Sequence, residues 1–258
     1  MTETGFVPNV VFYPEADGQP MTESDATRDY LFYCVEVLRL YFQSRRNIYV
    51  SGNLFIYYEE GNPKAVLSPD VFVIFGVSHR KRRSYKAWQE GGKLPSFVME
   101  ITSMTTRRQD EIEKPKLYAS LGVQEYFQYD PTADYLNPQL KGFQLVNGVY
   151  QPLPLETDIN NTPFIRSAVL GLELRLQTPE QSLGVVPLPK ELRFYDPQAG
   201  LKLLTREEVE RARELAEQER DAAQQERDAA QQERDAAQQR AEQLAMKLRE
   251  LGIDPNQF

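Results

Sequence analysis

The chain has 258 residues, 41% of them hydrophobic and 11% aromatic, enough for one packed domain with an appendage. A formal net charge of −8 argues against broad electrostatic attraction to nucleic acid, so any such contact must come from local basic patches. A single cysteine, Cys34, and a single histidine, His79, exclude a disulfide framework and make zinc or Ser-His-Asp chemistry poor fits. No run of about 18 apolar residues exists and no signal peptide is apparent, so a soluble cytoplasmic protein without a membrane partner is expected.

Residues 1–20 carry Pro8, Pro14 and Pro20 and read as an N-terminal arm. From Ser24 the pattern turns helical, with Tyr30, Leu31, Cys34, Val35, Leu38 and Phe42 on one side, ending near Ser44. Cys34 falls inside this apolar pattern and reads as a buried structural thiol. Ile48 to Tyr58 is rich in β-branched and aromatic residues, and Val71 to Phe75 reads as a strand. Residues 77–94 form a polar loop. Phe97 to Ile101 is apolar nearly throughout and reads as a central strand buried on both faces. A helix follows, with Leu117, Tyr118 and Leu121 apolar and Gly122 as its stop. Pro115 must kink or interrupt it unless it lies near the first turn.

Glu125 to Tyr129 is a further strand, then Leu140 to Val146, Tyr150 to Leu155 after the Asn147-Gly148 turn, and Leu170 to Leu176. Gln177 to Pro197 holds four prolines and reads as a linker or edge strand. The heptad Glu-Arg-Asp-Ala-Ala-Gln-Gln repeats three times from Glu219 to Gln239, and residues 205–251 predict a helix of about 70 Å. Val209, Ala216, Ala223, Ala230, Ala237, Leu244 and Leu251 share one heptad position, beside Leu215, Ala222, Ala229 and Ala236. That alanine stripe predicts weak coiled-coil association into a homo-oligomer, with a solvated single helix as the plainer reading. Residues 252–258 are a tail. Within 205–251 there are nine basic and thirteen acidic residues, leaving 21 and 25 elsewhere. Both parts are thus at −4, and the body is only mildly acidic.

The chemistry-bearing features are two acids beside apolar strands: Asp70, just before Val71 to Phe75, and Glu100, inside Phe97 to Ile101. A lone acid in such a place is costly unless paired, protonated or bound to metal. Two carboxylates and a backbone carbonyl suffice for Mg²⁺, and a lysine beside the attacking water completes a phosphodiester-cleaving site. Asp110 reads as a first-turn helix acid. Glu125 and Tyr126 read as buttresses of the site. Arg80, Lys81, Arg82 and Arg83, with Lys86, Trp88 and Lys93, form a basic cluster suited to phosphates, although a solvated loop reads equally well.

Pro69-Asp70 followed by Glu100-Ile101-Thr102 resembles the PD-(D/E)xK nuclease superfamily. The wider set is Ser68 to Ile74, Glu100 to Ser103, Thr106, Asp110, Lys114, Tyr118 and Gly122 to Tyr126. That set is similar to the restriction-endonuclease family abundant in cyanobacteria and often called Uma-type, over roughly residues 20–205. The resemblance implies an α/β restriction-endonuclease-like core with a central mixed β-sheet flanked by helices (residues 21–204) and a long C-terminal coiled-coil-type helix. It also implies a Mg²⁺- or Mn²⁺-dependent endonuclease acting on DNA. Asp70 and Glu100 would hold the metal with the carbonyl of Ile101 or Thr102. The superfamily lysine is absent, Thr102 standing in its place, and Lys114 from the following helix would supply it. A homodimer is expected, because two sites cut both strands of a duplex most simply. The missing lysine leaves one alternative: a catalytically inactive, nuclease-derived DNA-binding or scaffold protein that oligomerises through its C-terminal helix.

Overall fold

The computed structural model describes residues 11–14, 24–103, 106–179 and 189–250. Most of the predicted arm and the whole tail lie outside these. In chain order the elements are α1 (Asp25–Tyr41), β1 (Ile48–Ser51), β2 (Ile56–Tyr57), β3 (Val66–Leu67), β4 (Val71–Phe75) and β5 (Tyr85–Lys86). Next come β6 (Phe97–Ile101), α2 (Lys114–Ser120), β7 (Glu125–Tyr129), β8 (Leu140–Val146), β9 (Val149–Pro152) and β10 (Glu156–Thr157). The last are β11 (Pro163–Ser167), β12 (Leu172–Gln177), β13 (Glu191–Asp196), β14 (Leu201–Lys202) and α3 (Arg206–Glu250).

The central sheet has the order β1-β4-β6-β7-β8-β9. It is mixed: β6 and β7 run parallel, and every other pair is antiparallel. Parallel neighbours need a crossover, which the helical segment between β6 and β7 supplies. All five residues of β6 are buried, as its apolar run requires. Side chains alternate between two cores. Val71, Val73, Phe97, Met99, Phe127 and Tyr129 face α1 and the five-stranded antiparallel sheet β10-β11-β12-β13-β14. Phe72, Ile74, Val98 and Tyr126 face α2 and the small sheet β3-β2-β5. The period of two puts Glu100 and Gln128 on this second face with Val98 and Tyr126.

α1 starts where Ser24 accepts a hydrogen bond from the Thr27 N–H, at 3.2 Å. It ends at Tyr41, short of Ser44, because Gln43 N–H bonds back three residues to Leu40 and tightens the last turn. Cys34 is fully buried on it, and burial pushes its thiol up. The stretch Ile48 to Tyr58 is two strands in two sheets, broken at Gly52-Asn53. A Cβ at Gly52 would lie 2.1 Å from the Asp70 carbonyl oxygen, so only glycine lets the chain pass there. Gly142 on β8 is needed likewise: a Cβ there would meet Phe127 at 2.7 Å and Ile165 at 3.1 Å, where the second sheet packs. The stretch read as a linker or edge strand contains β13, which pairs with β12 and β14 on both sides and buries Leu192 and Phe194. In the arm, Tyr13 packs on Tyr57 and Trp88, with centroids 5.0 and 5.2 Å apart.

Contacts divide the chain into two units, Met1–Thr205 and Arg206–Phe258. The second is α3, 45 residues with none buried, about 68 Å long. Gln224–Asp228, Gln231–Asp235 and Gln238–Glu242 hydrogen bonds, 2.8–3.0 Å, recur once per heptad. Glu226 lies four residues after Ala222 and three after Ala223. The glutamate row therefore runs between the two alanine rows, and the stripe is interrupted. Among the described residues no helix is long and apolar enough to cross a membrane.

Candidate active site

Val71 on β4 faces Met99 on β6, so the next step of that antiparallel register sets Asp70 opposite Glu100. Both carboxylates project from the same face. Asp70 Oδ2 accepts the Ile101 N–H at 2.8 Å. A strand residue turns its N–H and C=O toward the same neighbour, so the Ile101 carbonyl also looks to the Asp70 side. Asp70 is partly exposed, while Glu100 is fully buried. Burial, and then the charge of Glu100, push the Asp70 carboxyl well above its ordinary value.

Lys114 closes the constellation. Its Nζ lies 2.9 Å from Glu100 Oε2 and 2.7 Å from Asp110 Oδ1. Neither of those two buried oxygens takes a further hydrogen bond. The other oxygen of Glu100 accepts a short hydrogen bond from the Tyr118 hydroxyl. Burial pulls the Lys114 ammonium down, but Glu100 and Asp110 outweigh it and hold the group above its ordinary value. Lys114 is thus kept protonated. Its side chain is 28% exposed, so the site opens to solvent at Lys114 and Asp70.

Pro115 explains how the lysine arrives here. Residues Gln109–Glu113 form a π-helical turn, in which Lys114 N–H bonds to the Gln109 carbonyl five residues back. The next donor in that register would be Pro115, which has no N–H. The Asp110 carbonyl is therefore left without a helical partner. Two β7 side chains take it instead: the Tyr126 hydroxyl at 2.7 Å and Gln128 Nε2 at 2.6 Å. Asp110 is a first-turn acid, as read, but it is consequently 1% exposed. Its carboxylate also accepts from Thr102 Oγ1 at 2.7 Å, and Thr102 makes a short hydrogen bond to the Tyr135 hydroxyl. Asp110, Thr102 and Tyr118 stand in the motif set that carried the family resemblance, whereas nothing in the sequence singled out Gln128. The proline five residues after Asp110 and one after Lys114 was the available signal.

Tyr126 buttresses this site, but Glu125 does not. Glu125 opens β7, whereas the site lies toward the far end of parallel β6. It binds the Ser167 hydroxyl and the N–H groups of Ala168 and Val169.

The basic loop differs from the expected phosphate clamp. Arg80 and Arg82 both bind Glu90 Oε1, at 2.7 and 3.0 Å. Arg82 also stacks over Tyr49 at 4.3 Å and donates to the Ser78 and Arg80 carbonyls. With a side chain 6% exposed, Arg82 is a structural residue. Lys81 and Arg83 are exposed. Arg82→Ala should cost about 1–2 kcal/mol in urea denaturation, and Arg80→Ala less than about 0.5 kcal/mol, as befits an exposed pair. Equal effects would contradict this division.

Comparison with known proteins gives two results. The family model Uma2, described as "Putative restriction endonuclease", matches residues 13–177. Among solved structures the chain is similar to a putative nuclease of DUF820 from Anabaena variabilis ATCC 29413. Identity is 14% over 57% of this chain and 80% of that one, with a TM-score of 0.37. No curated protein matches.

Proposed function

Because the chain belongs to the Uma2 family, we propose that it is a divalent-metal-dependent endonuclease that hydrolyses phosphodiester bonds in DNA. The observation that carries this reading is the carboxylate pair Asp70–Glu100 on neighbouring strands, with the Lys114 ammonium 2.9 Å from Glu100.

The residues fit a small hard cation. Their donors are all oxygen, and two like-charged carboxylates opposite one another favour a cation between them. Mg²⁺ needs only one or two carboxylates because it keeps several waters. No larger group of His, Cys, Asp or Glu suited to a metal is found among the described residues. Asp70 and Glu100 would hold Mg²⁺ or Mn²⁺ together with the Ile101 carbonyl. The ion supplies charge neutralisation on the scissile phosphate and a more acidic bound water. Lys114 would donate hydrogen bonds to the water or a phosphate oxygen. Tyr118 fixes the Glu100 carboxylate from behind. Exposed Lys81 would contact a phosphate, and a homodimer would bring two such sites to a duplex.

The test is plasmid cleavage in Mg²⁺ or Mn²⁺. The Asp70→Ala, Glu100→Ala variant should be slower by about 10³-fold or more. Cleavage that persists in the variant overturns the site. A wild type that binds DNA without cutting it, in either metal, leaves a DNA-binding scaffold as the function.

A further inference from the structure

We propose that Thr102 and Asp110 are positioning residues whose joint role is to aim the Lys114 ammonium at Glu100. The threonine standing where the superfamily carries its lysine has become the anchor of the replacement. This inference rests on the proposed nuclease reading for its catalytic consequence, but not for its geometry.

A chain of contacts carries it. Thr102 is the residue just beyond β6, two after Glu100, and is fully buried. Its hydroxyl donates to Asp110 Oδ2 at 2.7 Å, and the other carboxylate oxygen of Asp110 meets Lys114 Nζ at 2.7 Å. Lys114 Nζ then meets Glu100 at 2.9 Å. Asp110 is gripped at both ends, its carbonyl by Tyr126 and Gln128 and its carboxylate by Thr102. It cannot follow the lysine if the lysine swings out.

A buried carboxylate is an expensive way to fill space. An asparagine could accept the same threonine hydroxyl at lower cost. What only the aspartate adds is charge, and the charge faces Lys114. A lysine stem has four rotatable bonds, and here it is partly exposed. Without a second anion its ammonium would spend much of its time in solvent. Two carboxylates on either side leave it one low-energy position. The π turn is part of the device, since it presents Asp110 and Lys114 to the same side at four-residue spacing.

The test uses the full-length protein and three substitutions. Thr102→Val keeps the shape and removes the hydroxyl. Thr102→Ser keeps the hydroxyl. Asp110→Asn removes the charge. The first readout needs no catalysis: acetylation rates of individual lysines in metal-free protein, followed by mass spectrometry. Lys114 should react slowly in wild type and Thr102→Ser, and about 10-fold faster in Thr102→Val and Asp110→Asn, with the other lysines unchanged. The second readout is cleavage. kcat should fall by about 10–100-fold in Thr102→Val and Asp110→Asn with little change in KM, and Thr102→Ser should restore it. Lys114 labelling that is the same in all four proteins overturns the inference, whatever the activity. Selective labelling in proteins that cut no DNA keeps the inference and sinks the nuclease reading. If Thr102→Val fails to fold, the comparison of Asp110→Asn with Thr102→Ser decides by the same criteria.

Discussion

Lys114→Met should slow metal-dependent cleavage by about 10²–10⁴-fold and destabilise the metal-free protein by about 2–4 kcal/mol. Methionine fills much of the lysine stem's space and removes only the ammonium. Glu100, 0% exposed, and Asp110, 1% exposed, then face each other across a site with no cation. Each keeps one hydrogen bond, from Tyr118 and Thr102 respectively, but neither keeps a counter-charge. Breaking a buried pair by removing one partner is usually worth about 3–5 kcal/mol. Solvent reaches the Lys114 side chain, so the lower part of that range applies. Mn²⁺ offers a second source of positive charge. It should raise the melting temperature of Lys114→Met more than that of wild type, because the variant has more repulsion to relieve. Thermal melts in EDTA and in Mn²⁺ read both effects. A variant as stable as wild type in EDTA would mean that Lys114 does not hold the two carboxylates.

This expectation could not have been formed from the sequence, although half its ingredients were visible there. Val71 to Phe75 and Phe97 to Ile101 were legible because an uninterrupted apolar run has little choice but a central strand. Asp70 and Glu100 were legible as exceptions to those runs. That they stand opposite one another was not, since register is set by the whole path from residue 76 to 96, which carries no simple period. The burial of Asp110 was not legible, because it depends on residues 16 and 18 positions away, Tyr126 and Gln128, and on a missing N–H at Pro115. The arginine cluster was legible as a cluster. That Arg80 and Arg82 both pair with Glu90 is something proximity in sequence does not specify. Of the five-stranded sheet, β12 was legible because Leu172, Leu174 and Leu176 alternate with Glu173 and Arg175, whereas β10 and β14 are two residues each and too short to show a period. Leu192 and Phe194 sit at a spacing of two inside a proline-rich stretch that masks the period.

Glu125→Ala should cost about 3 kcal/mol in urea denaturation, more at pH 4 than at pH 8. Glu125 is fully buried at the start of β7, in the central sheet. Its carboxyl accepts from Ser167 Oγ and from the N–H groups of Ala168 (2.9 Å) and Val169 (3.2 Å), at the turn joining β11 to β12. One side chain therefore ties the central sheet to the five-stranded sheet. Removing it leaves the buried Ser167 O–H without its acceptor, although Ser167 still accepts from the Leu170 N–H, and opens a cavity between the layers, two costs that alanine cannot offset. The pH dependence follows from burial, which pushes the Glu125 carboxyl up, with the three donors opposing only in part. In the unfolded chain this group ionises near 4.5, and in the folded chain it ionises higher. Between those values the folded state binds more protons, so the wild type loses stability as pH rises through that window. The alanine variant has no such group and no such loss, so the gap between the two proteins narrows toward high pH. A gap that widens with pH would mean that the donors around Glu125 outweigh its burial. The carboxylate would then be a net favourable charge between the sheets.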